Sequence, residues 1–377
     1  MYNNSIYPKE DKTMRNIKRV ISLLLAVIML FAVSSAAFAE DNAQAEKKIS
    51  IYCQNVAGLP IPSMFDENGK KVPVTQKVMG QQLNSIGADI ICVQEDFQFH
   101  SILAEQMTNY PYQTYTSGGV PVGDGLNIFS KYPIYNIDRV AWEEFNGILD
   151  AANDGLTPKG FLKATVDFDG LLVDVYDIHA DANGSYEDCM AKKAQFKQLC
   201  AYIDENSAGR PVAITGDYNA HLHGDIAAEL YPIMIQGAGF SDAWTLYCND
   251  GVYFTDYLPA EVVAEYDAKW GGYYWGKWDS VERLLFRDGD GTKMTVTNHQ
   301  YIDMNARAGQ PLTDHSGMFG ELTVDMTNYV KPDVELKTEE KKSVWYSFTH
   351  TVKMFVRSLS LLLKDLFDKL ISGELTK

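Results

Sequence analysis

The sequence predicts a layered α/β or α+β domain, because short apolar runs alternate with helical patterns along most of its 377 residues. The apolar runs are brief and mostly β-branched, which is typical of strands, several of them buried. Apolar residues near helical spacing occupy 75–83 and 188–203. Strands mixed with helices in this order favour helices packed on sheets. The strand-like runs cover residues 49–53, 90–93, 126–129, 161–166, 171–178 and 212–215.

Residues 1–39 are typical of a secretory signal peptide. Three basic residues between positions 15 and 19 precede an uncharged apolar run at 20–33, and Ala37 and Ala39 then form an A-x-A cleavage site. That run is shorter than the roughly 20 residues that cross a bilayer. An uncleaved membrane anchor is the alternative. We therefore expect a secreted or extracellular protein, free or associated with a membrane or cell surface.

The charge of the chain narrows the classes of function. Its net charge is −17 at pH 7, with an isoelectric point near 4.8. A protein that only binds nucleic acid needs a basic surface, so the composition disfavours that class. It does not exclude a nuclease, because bound divalent cations can offset the charge locally.

The cysteines point to neither a zinc site nor a disulfide framework. There are five of them, an odd number, and no C-x-x-C pair occurs. Cys53 and Cys92 lie inside strand-like apolar runs. We expect these two thiols to be buried as small hydrophobic groups.

The C-terminal part differs in composition from the rest. We assign a main domain to 40–333, a charged linker to 334–342 and an amphipathic helical tail to 343–377. Apolar residues from Trp345 to Leu370 form a helical stripe, with lysine and arginine among the polar positions. Such a helix lies in a membrane interface rather than spanning it, so contact with a membrane surface through 343–372 is one prediction. Packing on the main domain or on a second subunit is the other.

Several strand-like runs end in a polar functional group. In layered α/β proteins, ligand sites collect where strands end and loops begin. A further polar pair precedes the β-like run at 318–324. The chain contains no P-loop, H-E-x-x-H or G-x-S-x-G motif. The polar groups are Asn55, Glu95, His179, Asp217 and Asn219 at strand ends, and Asp314 and His315 in the later pair.

Taken in order, these segments resemble the endonuclease/exonuclease/phosphatase superfamily, in particular its secreted sphingomyelinase-like and deoxyribonuclease-like members. The resemblance runs from about residue 49 to 324. One motif alone is weak, but five in the family's order are specific. They are CQNVAGLP at 53–60, ADIICVQE at 88–95, GLNIFSKYPI at 125–134, GDYN at 216–219 and the Asp-His pair at 314–315.

The resemblance implies a four-layer sandwich of two packed mixed β-sheets flanked by helices. It also implies that Asn55 and Glu95 hold a Mg²⁺ ion, for which Mn²⁺ could substitute. Magnesium prefers oxygen ligands and keeps several waters, so one carboxylate, one amide and water suit it. The ion would act as a Lewis acid on a phosphodiester.

The same resemblance assigns the catalytic roles. Asp217 and His315 would prepare the attacking water, and Asp314 would orient His315 or approach the metal. His179 and Asn219 would donate hydrogen bonds to phosphoryl oxygens. Hydrogen-bond donors at these oxygens stabilise the charge of the transition state.

Two positions depart from the family pattern. Asp177 replaces the asparagine of the usual N-T-H, so we expect extra negative charge near the site, which would raise metal affinity or change the preference among phosphate groups. Glu282 stands where the family has aspartate in a late strand, and the alignment there assigns it no role.

The expected function is therefore Mg²⁺-dependent hydrolysis of a phosphodiester, leaning to a phospholipid headgroup. An extracellular endonuclease is the alternative, and a small-molecule phosphatase is a third enzyme. A membrane-surface interaction protein with a relict catalytic fold is the non-enzymatic alternative. The aromatic, glycine-containing segment 270–278 suits a loop that enters lipid headgroups, or equally a packed surface loop.

Overall fold

The computed structural model describes residues 45–60, 72–148, 151–224, 230–254, 256–270, 278–340 and 344–372. The predicted signal peptide at 1–39 lies outside the described residues, as do 271–277 of the aromatic segment. Trp278, at the end of that segment, is 2% exposed and packs with Leu222 and Trp244. This tryptophan therefore belongs to a core cluster and is not available to a membrane.

The first sheet has the strand order β11-β12-β1-β2-β4-β3. Its central strands β1 and β2 are parallel, and every other pair in the sheet is antiparallel. The carboxyl ends of β1 and β2 therefore lie side by side. The six strands are β1 (Glu46–Asn55), β2 (Ile90–Gln94), β3 (Tyr112–Gln113), β4 (Asn127–Ser130), β11 (Lys293–Ile302) and β12 (Gly317–Asp325).

The second sheet has the strand order β5-β6-β7-β8-β10-β9. Here β7 and β8 are the parallel pair, and the others are antiparallel. Each sheet thus contains one parallel pair at its centre. The strands are β5 (Ile134–Ala141), β6 (Gly160–Phe168), β7 (Leu171–His179), β8 (Val212–Asp217), β9 (Ser241–Asp242) and β10 (Glu282–Arg287).

Seven α-helices accompany the sheets in the described ranges, together with a 3₁₀ segment at Ala151–Leu156 and a π-helical segment at Tyr231–Gly237. The long helix α3 begins with a capping box, in which the Ser185 hydroxyl accepts from the Asp188 N–H and the Asp188 carboxylate accepts from the Ser185 N–H. The helices are α1 (Val72–Asn84), α2 (His100–Ala104), α3 (Tyr186–Asn206), α4 (Ala243–Cys248), α5 (Ala260–Trp270), α6 (Met304–Ala308) and α7 (Val344–Ser372).

The core has three layers of apolar contact. The central cluster fills the space between the sheets, where inward residues such as Ile51, Val175 and Leu322 meet. A second cluster packs α3 on the outside of the second sheet, and a third packs α1 and α6 on the first. This arrangement confirms the predicted four-layer sandwich. Cys53 and Cys92 are buried, and all five cysteines are free thiols.

Residues 334–340 form no helix or strand, and α7 follows from Val344 to Ser372. Within the described part of the chain, every helix is too short or too polar to traverse a bilayer.

Candidate active site

The two parallel strand pairs place polar side chains at one edge of the sandwich. In the first sheet, Asn55 ends β1 opposite Gln94, so Glu95 follows directly beside it. The Asn55 Nδ2 donates to Glu95 Oε1 at 3.2 Å. In the second sheet, His179 and Asp217 are register partners at the ends of β7 and β8. Their Nε2 and Oδ2 atoms lie 3.5 Å apart.

Contacts across the sandwich join these pairs into one site. Asn55 Nδ2 also lies 3.2 Å from Asp217 Oδ2, so one amide bridges the two sheets. The Thr313 hydroxyl donates to the Asn55 carbonyl at 2.8 Å and accepts from the His315 N–H at 3.1 Å. These two bonds bring the loop before β12, with its Asp-His pair, against the end of β1.

The backbone at the site is strained in three places. Ala57, Glu95 and Asn219 have φ of 47°, 59° and 46°, in the left-handed region that non-glycine residues rarely adopt. Such residues cluster at functional sites, where the surrounding structure holds them. Gly58 provides part of that hold, because its N–H donates to the Glu95 carbonyl at 3.1 Å. A Cβ atom on Gly58 would lie 2.5 Å from the same oxygen, which explains the glycine of the NVAGLP motif.

His315 is oriented by Glu282. Its Nδ1 lies 2.6 Å from Glu282 Oε1 and 3.8 Å from Asp217 Oδ2. Asp314, which the resemblance suggested for this role, has its Oδ1 3.9 Å from His315 Nε2, and its side chain is 44% exposed. The orienting contact expected of Asp314 is thus made by Glu282. The signal for this lay in β10, where Glu282 pairs in register with Asp217 of β8.

The charges of this cluster follow from burial and proximity. Burial opposes protonation of His315, but the carboxylates of Asp217 and Glu282 outweigh it and raise the pKa of His315 to about 10. Burial likewise opposes ionisation of Asp217, but the two imidazoles beside it hold its pKa below the usual value. Burial lowers the pKa of His179 to about 3, so this ring is neutral at physiological pH.

The donor atoms divide into a proton-sharing group and a group suited to a cation. Ligand atoms of Asp217, Glu282 and His315 all lie within 4.8 Å of one another. The raised pKa of His315 favours a proton shared with Glu282, and a protonated imidazole has no lone pair for a metal. Asn55 and Glu95 offer the hard oxygens that Mg²⁺ prefers. Burial raises the pKa of Glu95, and a bound cation would favour its ionised form.

In this structure the Asn55 Nδ2 lies between the carboxylates of Glu95 and Asp217, where a positive charge is favoured. Its Oδ1 accepts from the Ala57 N–H at 3.1 Å. A half-turn of the amide would present Oδ1 beside Glu95 as a second oxygen ligand, in exchange for that bond. The residues present therefore fit a single magnesium ion.

The surroundings of Asp177 oppose the extra negative charge expected from the sequence. Gln94 Nε2 donates to Asp177 Oδ1 at 2.6 Å, which links β2 to β7 across the sandwich. Burial raises the pKa of Asp177 well above its usual value, which favours the neutral carboxyl group. Gln94 Oε1 and Asp177 Oδ2 are buried without a hydrogen-bond partner, which fits a protonated carboxyl group. A neutral acid would replace the family's asparagine without changing the charge.

The remaining predicted residues also reach the site. The Asn219 N–H donates to Asp217 Oδ1 at 2.9 Å, and its Nδ2 donates to the Ala180 carbonyl at 3.1 Å. Trp142 Nε1 donates to the His179 carbonyl at 2.7 Å and fixes the end of β7. His179 Nδ1 is buried and without a hydrogen-bond partner. All seven predicted residues thus lie at one edge of the sandwich.

Lys159 is a site residue that the sequence reasoning missed. It pairs with Asp154 at the entry to β6. Its positive charge helps to lower the pKa of Glu95, His179 and Asp217. No motif marks it, because a lysine before a strand is ordinary on a protein surface.

Comparisons with known proteins agree with this geometry. Residues 55–282 match the model of the Endonuclease/Exonuclease/phosphatase family. The sphingomyelinases of Mycobacterium bovis and Mycobacterium tuberculosis are each 30% identical to this chain over 280 residues, which is 71% of this chain and 51% of the relative. This chain therefore spans about half the length of these curated relatives.

Solved structures with the same fold are more distant in sequence. A D. rerio TDP2 complexed with a single-strand DNA product has a TM-score of 0.52 at 17% identity, covering 73% of this chain and 99% of that one. A humanized D. rerio TDP2 gives 0.51 at 17% identity, covering 73% and 98%. The family match, the relatives and the fold agree, and this chain belongs to the endonuclease/exonuclease/phosphatase family.

Proposed function

We propose that this protein is a secreted, Mg²⁺-dependent phosphodiesterase that hydrolyses phospholipid headgroups, as its similarity to two sphingomyelinases suggests. The observation that carries the proposal is the buried Asp217–His315–Glu282 cluster beside the oxygen ligands Asn55 and Glu95. Phosphodiester hydrolysis needs positive charge at the phosphoryl oxygens and a group that takes a proton from water. This edge of the sandwich supplies both.

Asp217 is the proton acceptor in this mechanism. Its pKa is held low, so it is ionised and ready to accept the proton of an attacking water. His315 Nδ1 lies 3.8 Å from Asp217 Oδ2 and 2.6 Å from Glu282 Oε1, so the imidazolium is held by Glu282 and its positive charge favours the ionised form of Asp217. The Asp314 carboxylate is exposed at the outer edge of the cluster, with its Oδ1 3.9 Å from His315 Nε2.

The phosphoryl group would be held by uncharged donors and by a cation. His179 is neutral and therefore donates through one ring nitrogen only, and Asn219 has a second amide hydrogen beyond the one bonded to Ala180. Mg²⁺, or Mn²⁺ in its place, would neutralise charge on the phosphate when held by Asn55 and Glu95. Lys159 adds a positive charge near the same edge.

The test compares a lipid and a nucleic acid as substrates. Purified protein lacking residues 1–39 is incubated with sphingomyelin vesicles and, separately, with plasmid DNA, in Mg²⁺, in Mn²⁺ and in EDTA. We expect phosphocholine release that needs the metal, and intact plasmid. Plasmid cleavage without phosphocholine release would overturn the lipid assignment in favour of an extracellular nuclease. If neither substrate is hydrolysed in Mg²⁺ or in Mn²⁺, the result would indicate a relict catalytic fold.

A further inference from the structure

Helix α7 exposes an apolar face along its length. It has 29 residues, which corresponds to about 43 Å. With 3.6 residues per turn, the exposed apolar side chains fall on one side of the helix. Phe355 is 57% exposed and Phe367 is 61% exposed. The other exposed members of this face include Phe348, Leu359, Leu363 and Leu370.

The opposite side of α7 contacts the body of the protein. Ser358 is 8% exposed, and its hydroxyl lies 3.5 Å from the Leu156 carbonyl of the 3₁₀ segment. The Arg357 guanidinium lies over the Phe145 ring, 5.6 Å from its centroid. Arg357 and Ser358 thus face the body together with the half-buried Met354 and Leu361, while the exposed apolar side chains point outward.

The segment before α7 is tied to the body as well. Lys337 N–H donates to Asn136 Oδ1 at 2.8 Å, and the Lys337 carbonyl accepts from the Asn136 N–H at 2.8 Å. The Glu339 carboxylate accepts from the Tyr115 N–H at 2.8 Å. The described part of the predicted linker is therefore held against β5 and the nearby loop as far as Glu339.

The apolar face carries basic side chains along one border. Lys353 and Lys364 are exposed and lie eleven residues apart, which is close to three whole turns, so they form one row beside the stripe. The helix has four basic and two acidic residues, whereas the whole chain has a net charge of −17. An apolar face bordered by lysines matches acyl chains below anionic phosphates.

We propose that α7 is an interfacial helix that binds an anionic phospholipid surface through its outward apolar face and its lysine row. Exposed apolar surface of this extent on a soluble body indicates an interaction site. The 3₁₀ segment under α7 contains Asp154, whose carboxylate pairs with Lys159 and accepts from the Ala182 N–H at 3.1 Å, three residues beyond the site residue His179. The inference names the surface on which the proposed lipid hydrolysis takes place, and in that respect it rests on the proposed function.

The test measures vesicle binding separately from turnover. The full chain without residues 1–39, carrying Asp217→Ala to prevent hydrolysis, is sedimented with vesicles of phosphatidylcholine alone or mixed with phosphatidylglycerol. We expect binding to the mixed vesicles that weakens with salt. Phe355→Ser, Leu363→Ser and Phe367→Ser together should reduce it by at least about tenfold. Lys353→Glu with Lys364→Glu should remove the preference for the anionic lipid.

The matched control removes exposed apolar groups from the body, with Val74→Ser, Tyr186→Ser and Val330→Ser. These changes should leave vesicle binding as it was. In the active background, both triple variants should hydrolyse a soluble chromogenic phosphodiester at the original rate, which shows that the site is folded.

Unchanged vesicle binding in the α7 variant would overturn the inference while leaving the phosphodiesterase proposal standing. The inference would also be overturned if the protein were a dimer in the absence of vesicles and the α7 changes made it a monomer. In that case a second copy of the chain would cover the apolar face. Vesicle binding without phosphocholine release in the active protein would support the inference and contradict the lipid substrate.

Discussion

The active site and helix α7 depart from the usual distribution of side chains in opposite directions. The site buries charged groups, with Asp217 and Glu282 each 1% exposed. Helix α7 exposes apolar groups, with Phe355 and Phe367 more than half exposed. The two regions are linked through the 3₁₀ segment, which contacts Ser358 of α7 through the Leu156 carbonyl and the chain just after His179 through Asp154.

The difference lies in where each region finds its partners. Buried charges are costly unless they are paired, and those of the site are paired within the protein. Glu282 bonds His315, and Asp217 lies between two imidazoles and an amide. The apolar face of α7 is largely exposed, with Phe355 and Leu363 more than half exposed. We infer that the site is complete apart from its cation, whereas α7 is completed by a surface outside the chain.

The largest effect should come from Asp217→Ala, which separates the two regions. Loss of the proton acceptor should reduce hydrolysis of a soluble phosphodiester by about 10³-fold, within the range of general acid–base catalysis. Vesicle binding should not change. Asp204→Ala is the control, because Asp204 is exposed and pairs with Arg287 away from the site. Near-original activity in Asp217→Ala would show that the role is wrongly assigned.

A smaller effect should distinguish the two acids beside His315. Glu282→Gln removes the charged partner at 2.6 Å, so the rate should fall by roughly 10²-fold and the pKa of His315 should move down from about 10. Asp314→Asn should reduce the rate by less than about threefold, since this group is exposed and more distant. The rates are compared on the soluble substrate, and the pKa is followed by NMR titration. Equal losses in both variants would contradict the assignment to Glu282.

Acid should destabilise the body, where neutral imidazoles are buried. Burial lowers the pKa of His299 to about 3, as it does for His179. Their contribution to stability is present above the unfolded pKa of about 6.5 and is lost as the pH falls from there toward 3. His315 acts in the opposite direction, since its raised pKa makes stability fall as the pH rises from 6.5 through 10.

His299→Leu isolates this effect, because both ring nitrogens of His299 are buried without hydrogen-bond partners. Between pH 7.5 and 4.5 the variant should lose about 2 kcal/mol less of its unfolding free energy than the original protein. Urea unfolding at both pH values measures this change in unfolding free energy. An identical pH dependence in the two proteins would mean that the imidazole protonates in the folded state.

The smallest effect should come from Asp177→Asn. If the Asp177 carboxyl is neutral, an amide of the same shape can pair with Gln94, so activity should stay within about twofold. Asp177→Ala leaves Gln94 buried without its partner and should cost about 1–3 kcal/mol of stability. Activity and urea unfolding are measured for both. A large loss of activity in Asp177→Asn would mean that the site needs a charge at this position.

The sequence predicted the central strands because their apolar runs are continuous. It did not predict β5 or β11, whose side chains are mostly half-buried or exposed and form no continuous apolar run. The site residues could be named because they stand at strand ends, in recognisable segments. Glu282 received no role, because only the antiparallel register of β10 with β8 places it against Asp217 and His315.

Helix α7 shows a different limit of prediction from the sequence. Its period reveals an apolar and a polar face, but not which of them meets the body. The contacts of Arg357 and Ser358 decide this, and both are single side chains in an ordinary amphipathic pattern. Asp177 shows a similar limit, because the sequence does not state whether an acid is charged and burial raises the pKa of this one.

The bond from the Thr313 hydroxyl to the Asn55 carbonyl joins residues separated by 258 positions. Contacts between such distant parts of a chain form slowly, because a long loop must close before they are made. The loop that carries His315 can reach Asn55 only after β1 and β12 have paired. During refolding, enzymatic turnover should therefore return after secondary structure has recovered, which makes activity a measure of the completed fold.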